Sequence, residues 1–370
     1  MVTQIILFLL VLSILVLIHE LGHFLAAIKS GVKVEEFGFG IPPRVWGKKI
    51  GETIYSINLL PFGGFVRLHG ETSEDEVIDP KRSFLNKGKL TRISIVIAGV
   101  VMNFLLAVFL FSITYSFTGV PRETGEVKVL EVAEESPAAY AGISKDDVLL
   151  EIDNQPVYTN AEFIKTMQSK KGSEIDLKVK KPSGEIVTIE NVMARANPPE
   201  NEGPLGVLIN SAENYFPPIW QMPFYGIYYG VKEAVFWGMV VVFGFGKMIS
   251  ELFLGIVPRD ITGPVGIYAL TSQAANYGVL AFVNFIAILS VNLAILNIMP
   301  FPALDGGRLL FILIESVFGK KFLPKIESIA HTVGMALLLT LLFAITAYDI
   351  QRLISAGSIE QFFQDISQSR

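Results

Sequence analysis

The sequence predicts a polytopic α-helical membrane protein with about four transmembrane helices and a small, mainly-β soluble insert. Three observations carry that prediction. The chain of 370 residues is 51% hydrophobic and has a positive mean hydropathy, which is too apolar for a soluble protein of its size. Four stretches, roughly Gln4–Ile28, Ile93–Gly119, Val279–Met299 and Thr332–Ala347, approach the ~20 residues that a bilayer core requires, the last being short. Between the second and third the composition turns charged, in short alternating runs. There is no cysteine, so disulfides and thiolate metal sites are excluded, and a transition metal would have to be held by histidine and carboxylate. The net charge of -5, with no basic stretch interleaved with aromatics, argues against nucleic acid as a partner. The opening "MVTQ" lacks a positive n-region, so the first apolar run is expected to stay as a transmembrane helix.

Charge sets the expected orientation. The loop after the first span carries Lys29, Lys48, Lys49, Arg82 and Arg92 among others, and the loop after the third carries Arg308, Lys320, Lys321 and Lys325. Both are therefore expected in the cytoplasm, with the N-terminus outside. The segment Trp220–Val257 is the ambiguous one, because its longest uncharged run, Ala234–Gly246, is shorter than a span. If it crossed, the two basic loops could not share a side. It is thus expected as amphipathic helices at the outer surface, with Lys232, Glu233, Lys247 and Glu251 towards water.

From Gly125 to Arg195 the runs "GEVKVLEV", "DDVLLEI", "SEIDLKVKK" and "EIVTIENV" read as strands, and "NAEFIKTMQSK" as an amphipathic helix. Within them, "SPAAYAGISKDDVLLEIDNQPV" (Ser136–Val157) resembles the PDZ pattern, specifically that of permuted PDZ domains of bacterial proteases. An unrelated small sheet domain is the other reading.

Polar residues in the first span carry the chemistry. In "HELGH", His19 and His23 are four apart, so their imidazoles project from one helix face about a turn apart. That spacing suits two nitrogens on one zinc ion, with Glu20 placed to reach a water beside it. Clustered ionisable groups in a membrane segment are costly and usually functional, which weighs against a chance match. His69, in the polar loop "RLHGETSEDE", is expected to be solvated, and His331, opening the fourth span, to sit at the interface. A third ligand is then most naturally a carboxylate. Asp305 in "NLAILNIMPFPALDGGRLLF" ends a span, after a break at Pro300 and Pro302 and before Gly306 and Gly307. Taken alone, Asp305 reads as a solvated turn residue. Taken with the histidines, it reaches the same cytoplasmic depth, provided that Trp220–Val257 does not cross.

Together, "HELGH", "NIMPFPALDGG" and the inserted PDZ-like segment resemble the site-2 protease family of intramembrane zinc metalloproteases, and more narrowly its bacterial regulator-of-sigma-E branch. The resemblance implies one Zn2+ per chain on His19, His23 and Asp305, Glu20 as catalytic base, and Asn297 and Asn292 as substrate or oxyanion contacts. It also implies a membrane-associated β-hairpin in "GETIYSINLLPFGGFVRLHGE" (Gly51–Glu71), where alternating Tyr55, Ile57 and Leu59 and then Phe65–Leu68 fit strands around a turn at Gly63–Gly64, and where Gly63, Gly64 and Phe65 could meet an unwound substrate by β-augmentation. "AGVVMNF" (Ala98–Phe104) resembles the family's close-packing second-span motif. "TGPVGIYAL" (Thr262–Leu270) looks family-like but suggests no role. One departure is plain: better-known members of the branch carry two tandem PDZ domains, and this chain has room for one.

The expected layout is residues 1–119 and 261–370 as two halves of a membrane protease core, 120–200 as the PDZ domain, and 201–260 as linker and interfacial helices. The resemblance implies peptide hydrolysis in a bacterial inner membrane, with the active site towards the cytoplasm and the PDZ domain outside. It also implies single-pass membrane substrates, of the anti-sigma-factor type or signal-peptide remnants, already trimmed outside. The PDZ ligand would then be a substrate C-terminus exposed by that earlier cut. Two rivals stay open at this point. One is a catalytically silent scaffold gathering C-terminal peptides. The other is a zinc carrier, though no repeated halves offer alternating access.

Overall fold

The computed structural model describes residues 2–72, 77–199, 202–255, 263–319 and 323–356. They form two compact units, Ser116–Met222 and the remainder of the chain on either side of it.

The larger unit is helical. Helix α1 (Val2–Lys29) runs into two long strands, β1 (Val34–Ile50) and β2 (Thr53–Leu68), followed by a single 3-10 turn at Pro80–Arg82 and helix α2 (Lys89–Thr118). Among the described residues, five helices are long and apolar enough to cross a membrane. They include α1, which matches the sequence expectation to within two residues at either end, and α2, which starts about one turn earlier than expected.

The strand pair departs from it. Its tight turn is Gly51–Glu52, closing β1 on β2 with Ile50 opposite Thr53; Gly63 and Gly64 lie inside β2 instead of at the turn. Both strands bend, so Ile54–Ile57 opposes Trp46–Lys49 and also Glu36–Phe39, and the latter in turn opposes Gly64–Arg67. Phe24 of α1 holds this curled sheet through Phe37 and Tyr55, with ring centroids 5.0 and 6.1 Å away. Gly64 is needed there: a Cβ would stand 3.0 Å from the Gly38 carbonyl oxygen and 3.2 Å from the Leu17 side chain.

His69 corrects a second expectation. It is 1% exposed, with Nδ1 2.9 Å from the Glu35 carboxylate and Nε2 accepting the Asp79 amide at 3.1 Å. It bolts the loop after β2 to the strand pair, because burying an imidazole is tolerable only when both nitrogens are satisfied.

The smaller unit is a sheet domain with its own core. In chain order it contains β3 (Val120–Val132), a short helix α3 (Pro137–Tyr140), β4 (Val148–Ile152), β5 (Gln155–Pro156), α4 (Asn160–Ser169), β6 (Glu174–Lys180), β7 (Ile186–Met193) and β8 (Val207–Tyr215). The sheet order is β7-β6-β4-β3-β8, with β5 on β4. Alternate residues of the strands, including Val127, Val129, Leu149 and Leu177, bury against Phe163 and Met167 of α4. Ser136 caps α3, and Thr159 with Glu162 forms a reciprocal capping box on α4. The expected end at residue 200 is too early. β8 pairs with β3 from Val120↔Tyr215 to Val132↔Val207, so part of the supposed linker is an edge strand of the sheet.

Asp153 provides a test of this unit. Its carboxylate accepts the Asp176 amide at 2.8 Å and pairs with Lys170 at 2.9 Å. The backbone hydrogen bond first, and the lysine second, hold it below the usual carboxylate range. A depressed folded-state value stabilises above the unfolded value and is lost as pH falls through the folded one. Residues 116–222 expressed alone should therefore lose stability between about pH 5 and pH 2, and Asp153→Asn should flatten that limb in urea titrations followed by circular dichroism. An unchanged acid limb in the variant would refute the assignment.

Beyond the sheet domain, α5 (Met222–Phe253), α6 (Pro264–Asn276), α7 (Val279–Ile298), α8 (Asp305–Phe318) and α9 (Leu323–Ala356) complete the chain. The expectation of amphipathic helices over Trp220–Val257 is corrected in their number, Val257 lying outside the described residues. There is one 32-residue helix, and its length and hydropathy are those of a membrane span. Ala234 is buried with Ala107, Val108 and Phe111 of α2 and Ala287 and Val291 of α7. Its charges are matched: Glu233 accepts from Tyr115 Oη at 2.8 Å and Trp237 Nε1 at 3.0 Å, and Lys247 pairs with Glu251. The "TGPVGIYAL" motif forms most of α6, Thr262 lying outside the described residues. The N-terminal turn of α6 is capped from α9 by the buried Asp349, which accepts the Gly266 amide at 3.0 Å.

Candidate metal centre

Three side chains from two distant parts of the chain converge. His19 Nε2 lies 2.9 Å from Asp305 Oδ2, His23 Nε2 lies 3.1 Å from the same oxygen, and the two imidazole nitrogens are 3.1 Å apart. Both histidines are buried. Among the described residues this is the one group of three or more histidine or acidic side chains whose ligand atoms gather so closely. The helix period brings His19 and His23 together without help. Asp305 is brought by a break in the backbone. Helix α7 stops at Met299, the chain turns through Pro300–Leu304, and Asp305 is the first residue of α8. The turn passes through Ala303 at φ +77°, a left-handed conformation that costs an alanine on the order of 1–2 kcal/mol.

Glycines make the convergence possible. A Cβ on Gly306 would stand 2.0 Å from the Met299 carbonyl oxygen, and one on Gly307 would stand 2.4 Å from that of Phe301. On α2, a Cβ at Gly99 would fall 2.4 Å from His23 Nε2 and 2.8 Å from His19 Cε1. The space that Gly99 leaves is the space the imidazoles occupy. A tetrahedron with zinc–ligand bonds of ~2.0–2.1 Å has edges of about 3.3 Å, so the triangle needs only a few tenths of an ångström to admit the ion. The donor set of two imidazoles and one carboxylate is also one that zinc accepts. His23 Nδ1 donates to the Ile95 carbonyl at 2.8 Å, which fixes the tautomer that turns Nε2 towards its neighbours.

The other expected residues are placed as follows. Glu20 sits beside the cluster, its Oε2 accepting the Val66 amide of β2 at 3.0 Å. Phe65 and Glu20 line a cavity of about 800 Å3 that reaches His23 and Asp305. Asn297 Nδ2 is 3.4 Å from His19 Nε2. Asn292, earlier on α7 and part-exposed, is not brought into hydrogen-bond contact with the cluster. Gly63 and Gly64 bend β2 just before Phe65.

Four features were missed in the sequence. The Val66 amide and the Ile95 carbonyl are backbone groups with no signal in residue type. Gly99 stands in the "AGVVMNF" motif, where close packing was expected but not against the histidines. The fourth is His331, half-buried where an interfacial position was expected. Its Nδ1 accepts the Ala303 amide at 3.0 Å.

Two ion pairs frame the cavity: Arg92 with Glu315, both buried, and Arg308 with Glu71. Glu71 also accepts the Leu68 amide. They tie the last turn of α8 to the start of α2, and its first turn to the residues just after β2. Removing one partner of the Arg92–Glu315 pair would leave a buried charge uncompensated, at a cost of about 3–5 kcal/mol.

Comparison with known proteins points to one family. The pattern of the family described as "Peptidase family M50" matches residues 7–341. A Clostridium perfringens protein named as a zinc metalloprotease is 35% identical over 353 residues, covering 92% of this chain and 97% of the relative. The zinc metalloprotease RasP of Oceanobacillus iheyensis is 30% identical, over 95% of this chain and 99% of its own. The regulator of sigma-W protease RasP of Bacillus subtilis is 28% identical over the same shares.

Proposed function

Because the chain belongs to peptidase family M50 and is a membrane zinc metalloprotease, we propose that it cuts transmembrane segments of single-pass membrane proteins. The observation that carries this is the meeting of His19, His23 and Asp305 beside Glu20, the histidines on a helix of membrane-spanning length and Asp305 just beyond another. In this reading those three side chains hold the zinc. When bound, zinc supplies Lewis-acid polarisation of a peptide carbonyl and of water.

The chain's own residues do the rest. Glu20 takes the proton from the attacking water and later passes it to the leaving amine. The Val66 amide, donating to Oε2, holds the carboxylate in one orientation for that exchange. Asn297 donates to the substrate backbone or the developing oxyanion from beside His19. The Gly63–Phe65 stretch of β2 offers backbone groups next to the cavity, where an unwound substrate can pair as an added strand.

The sheet domain is read as a single PDZ domain. Support comes from its edge strand β8, preceded by "GPLG" (Gly203–Gly206) and flanked by α4, whose Asn160 amide donates to Ser211 of β8 at 3.0 Å. A free edge beside a helix suits an extended C-terminal peptide. The substrates would then be anti-sigma-factor-type proteins or signal-peptide remnants trimmed outside. The basic loop after α1 supports a site on the cytoplasmic side, with the sheet domain outside.

Cut-site mapping tests the proposal. The purified chain in liposomes should cleave a single-pass substrate within its apolar segment, as read by mass spectrometry. Chelation should abolish the cut and zinc restore it. A Gly-Pro pair near the cut site should raise the rate by up to about three orders of magnitude, since those residues cost a helix roughly 1 and 3 kcal/mol. Cuts confined to soluble flanks would defeat the proposal.

A further inference from the structure

The last helix touches the metal centre nowhere directly, yet it moulds the turn that presents Asp305. Two observations, one polar and one steric, point to the Pro302–Ala303 turn. His331 Nδ1 accepts the amide of Ala303 at 3.0 Å. One helical turn further, Gly334 lies so close to the same turn that a Cβ would stand 2.6 Å from Pro302 Cβ and 2.7 Å from the Pro302 carbonyl oxygen. His331 and Gly334 are three apart, so they share one face of α9. Ala303, between them and Asp305, is the residue held at φ +77°.

We infer that His331 and Gly334 are positioning residues for the carboxylate of Asp305, acting through the Pro302–Ala303 turn. Helix α8 begins at Asp305 with no side-chain cap, and the main-chain bonds at its start, Leu304 N–H to the Phe301 carbonyl at 3.2 Å and Gly307 N–H to the Leu304 carbonyl at 3.0 Å, do not take up the Ala303 amide. That amide would be orphaned without an acceptor on α9. His331 supplies that acceptor. To accept at Nδ1 the ring is neutral, with its proton on Nε2. Gly334 lets the helix approach near enough for that bond to form. A turn in a sparsely populated backbone conformation persists only when its surroundings over-determine it, and here the hydrogen bond and the close approach do so together. The carboxylate two residues on inherits the result, in the manner of groups that orient a metal ligand without touching the metal.

The inference rests on reading Asp305 as a zinc ligand, so the test carries Asp305→Ala alongside. Zinc affinity of the full chain, purified in detergent, is measured by chelator competition for the parent, His331→Leu, His331→Asn, Gly334→Ala and Asp305→Ala. Asparagine places its Oδ1 close to where histidine has Nδ1, so His331→Asn should bind zinc within about threefold of the parent, while His331→Leu and Gly334→Ala should bind about 10–100-fold more weakly. A role in packing alone predicts that leucine, which fills the space, does at least as well as asparagine. That order, or leucine equal to the parent, overturns the inference. If Asp305→Ala keeps the parent's affinity, the ligand reading itself fails and takes this inference with it. If Asp305→Ala loses zinc and His331→Leu does not, the ligand reading stands and the inference alone is lost.

Discussion

Glu20→Gln should keep its zinc and lose nearly all of its turnover. General-base catalysis is worth about 10²–10⁴ in rate, and the fall in kcat should lie in that range. The side chain is not one of the three whose atoms converge, so zinc affinity should stay within about threefold of the parent, well short of the 10–100-fold typical of disturbed ligand support. Glutamine is the informative replacement because it preserves shape. Its side-chain carbonyl can still accept the Val66 amide that the carboxylate accepts at 3.0 Å, so the sheet should stay against α1. What it cannot do is take a proton. Aspartate gives the complementary test: it keeps the charge but retracts it by one methylene, so it cannot both reach Val66 and serve a water beside the histidines. Its kcat should fall between those of parent and glutamine. The measurement pairs zinc content by mass spectrometry with single-turnover cleavage of a transmembrane peptide. A Glu20→Gln enzyme that turns over like the parent would remove Glu20 from the mechanism, and one that loses zinc as His19→Ala does would make it a ligand instead.

That this experiment can be designed from the sequence shows where the sequence was legible. His19, His23 and Glu20 lie in one unbroken helix, where spacing alone dictates which side chains meet. Asp305 was legible as a carboxylate at the broken, polar end of another span. What failed to show was anything that depends on backbone partners. His69 was expected in water and His331 at the interface, yet both accept main-chain amides, of Asp79 and Ala303, and no residue type announces an amide that needs an acceptor. The strand pair was misjudged for a related reason. Pro42, Pro43 and the glycines of β1 and β2 obscure the alternation, so the true turn at Gly51–Glu52 was displaced to Gly63–Gly64. In α5 the four charges broke the apolar run on paper. In the fold Glu233 is bonded to Tyr115 and Trp237 and Lys247 is paired with Glu251, so those charges do not interrupt the helix.

Gly99→Ala should be among the most damaging single-methyl additions in the helices. Helix propensity argues the other way, since alanine is better than glycine in a helix interior by about 1 kcal/mol. Sterics decide against it. The added carbon would stand 2.4 Å from His23 Nε2, 2.7 Å from its Cε1 and 2.8 Å from His19 Cε1. Those are rings, not flexible tips, so rotation of a distal bond cannot relieve the clash. His23 can retreat only by giving up the Ile95 carbonyl at 2.8 Å, which is what aims its nitrogen. Helix α2 cannot retreat instead, because α1 meets it closely at Gly22, where a Cβ would stand 2.3 Å from the Ala98 carbonyl oxygen. The two glycines thus form one contact, and parting the helices to fit the methyl at Gly99 would undo the packing at Gly22. Zinc affinity should fall by about 100-fold or more, the upper end of what disturbed ligand support costs, with activity falling alongside. Gly238→Ala is the matched control. It adds the same methyl to another helix, where the nearest atom would be Ile295 Cδ1 at an ordinary 3.6 Å, and zinc affinity and turnover should stay near the parent's. If Gly99→Ala binds zinc as tightly as Gly238→Ala does, the close approach of α2 is not what shapes the histidine pair.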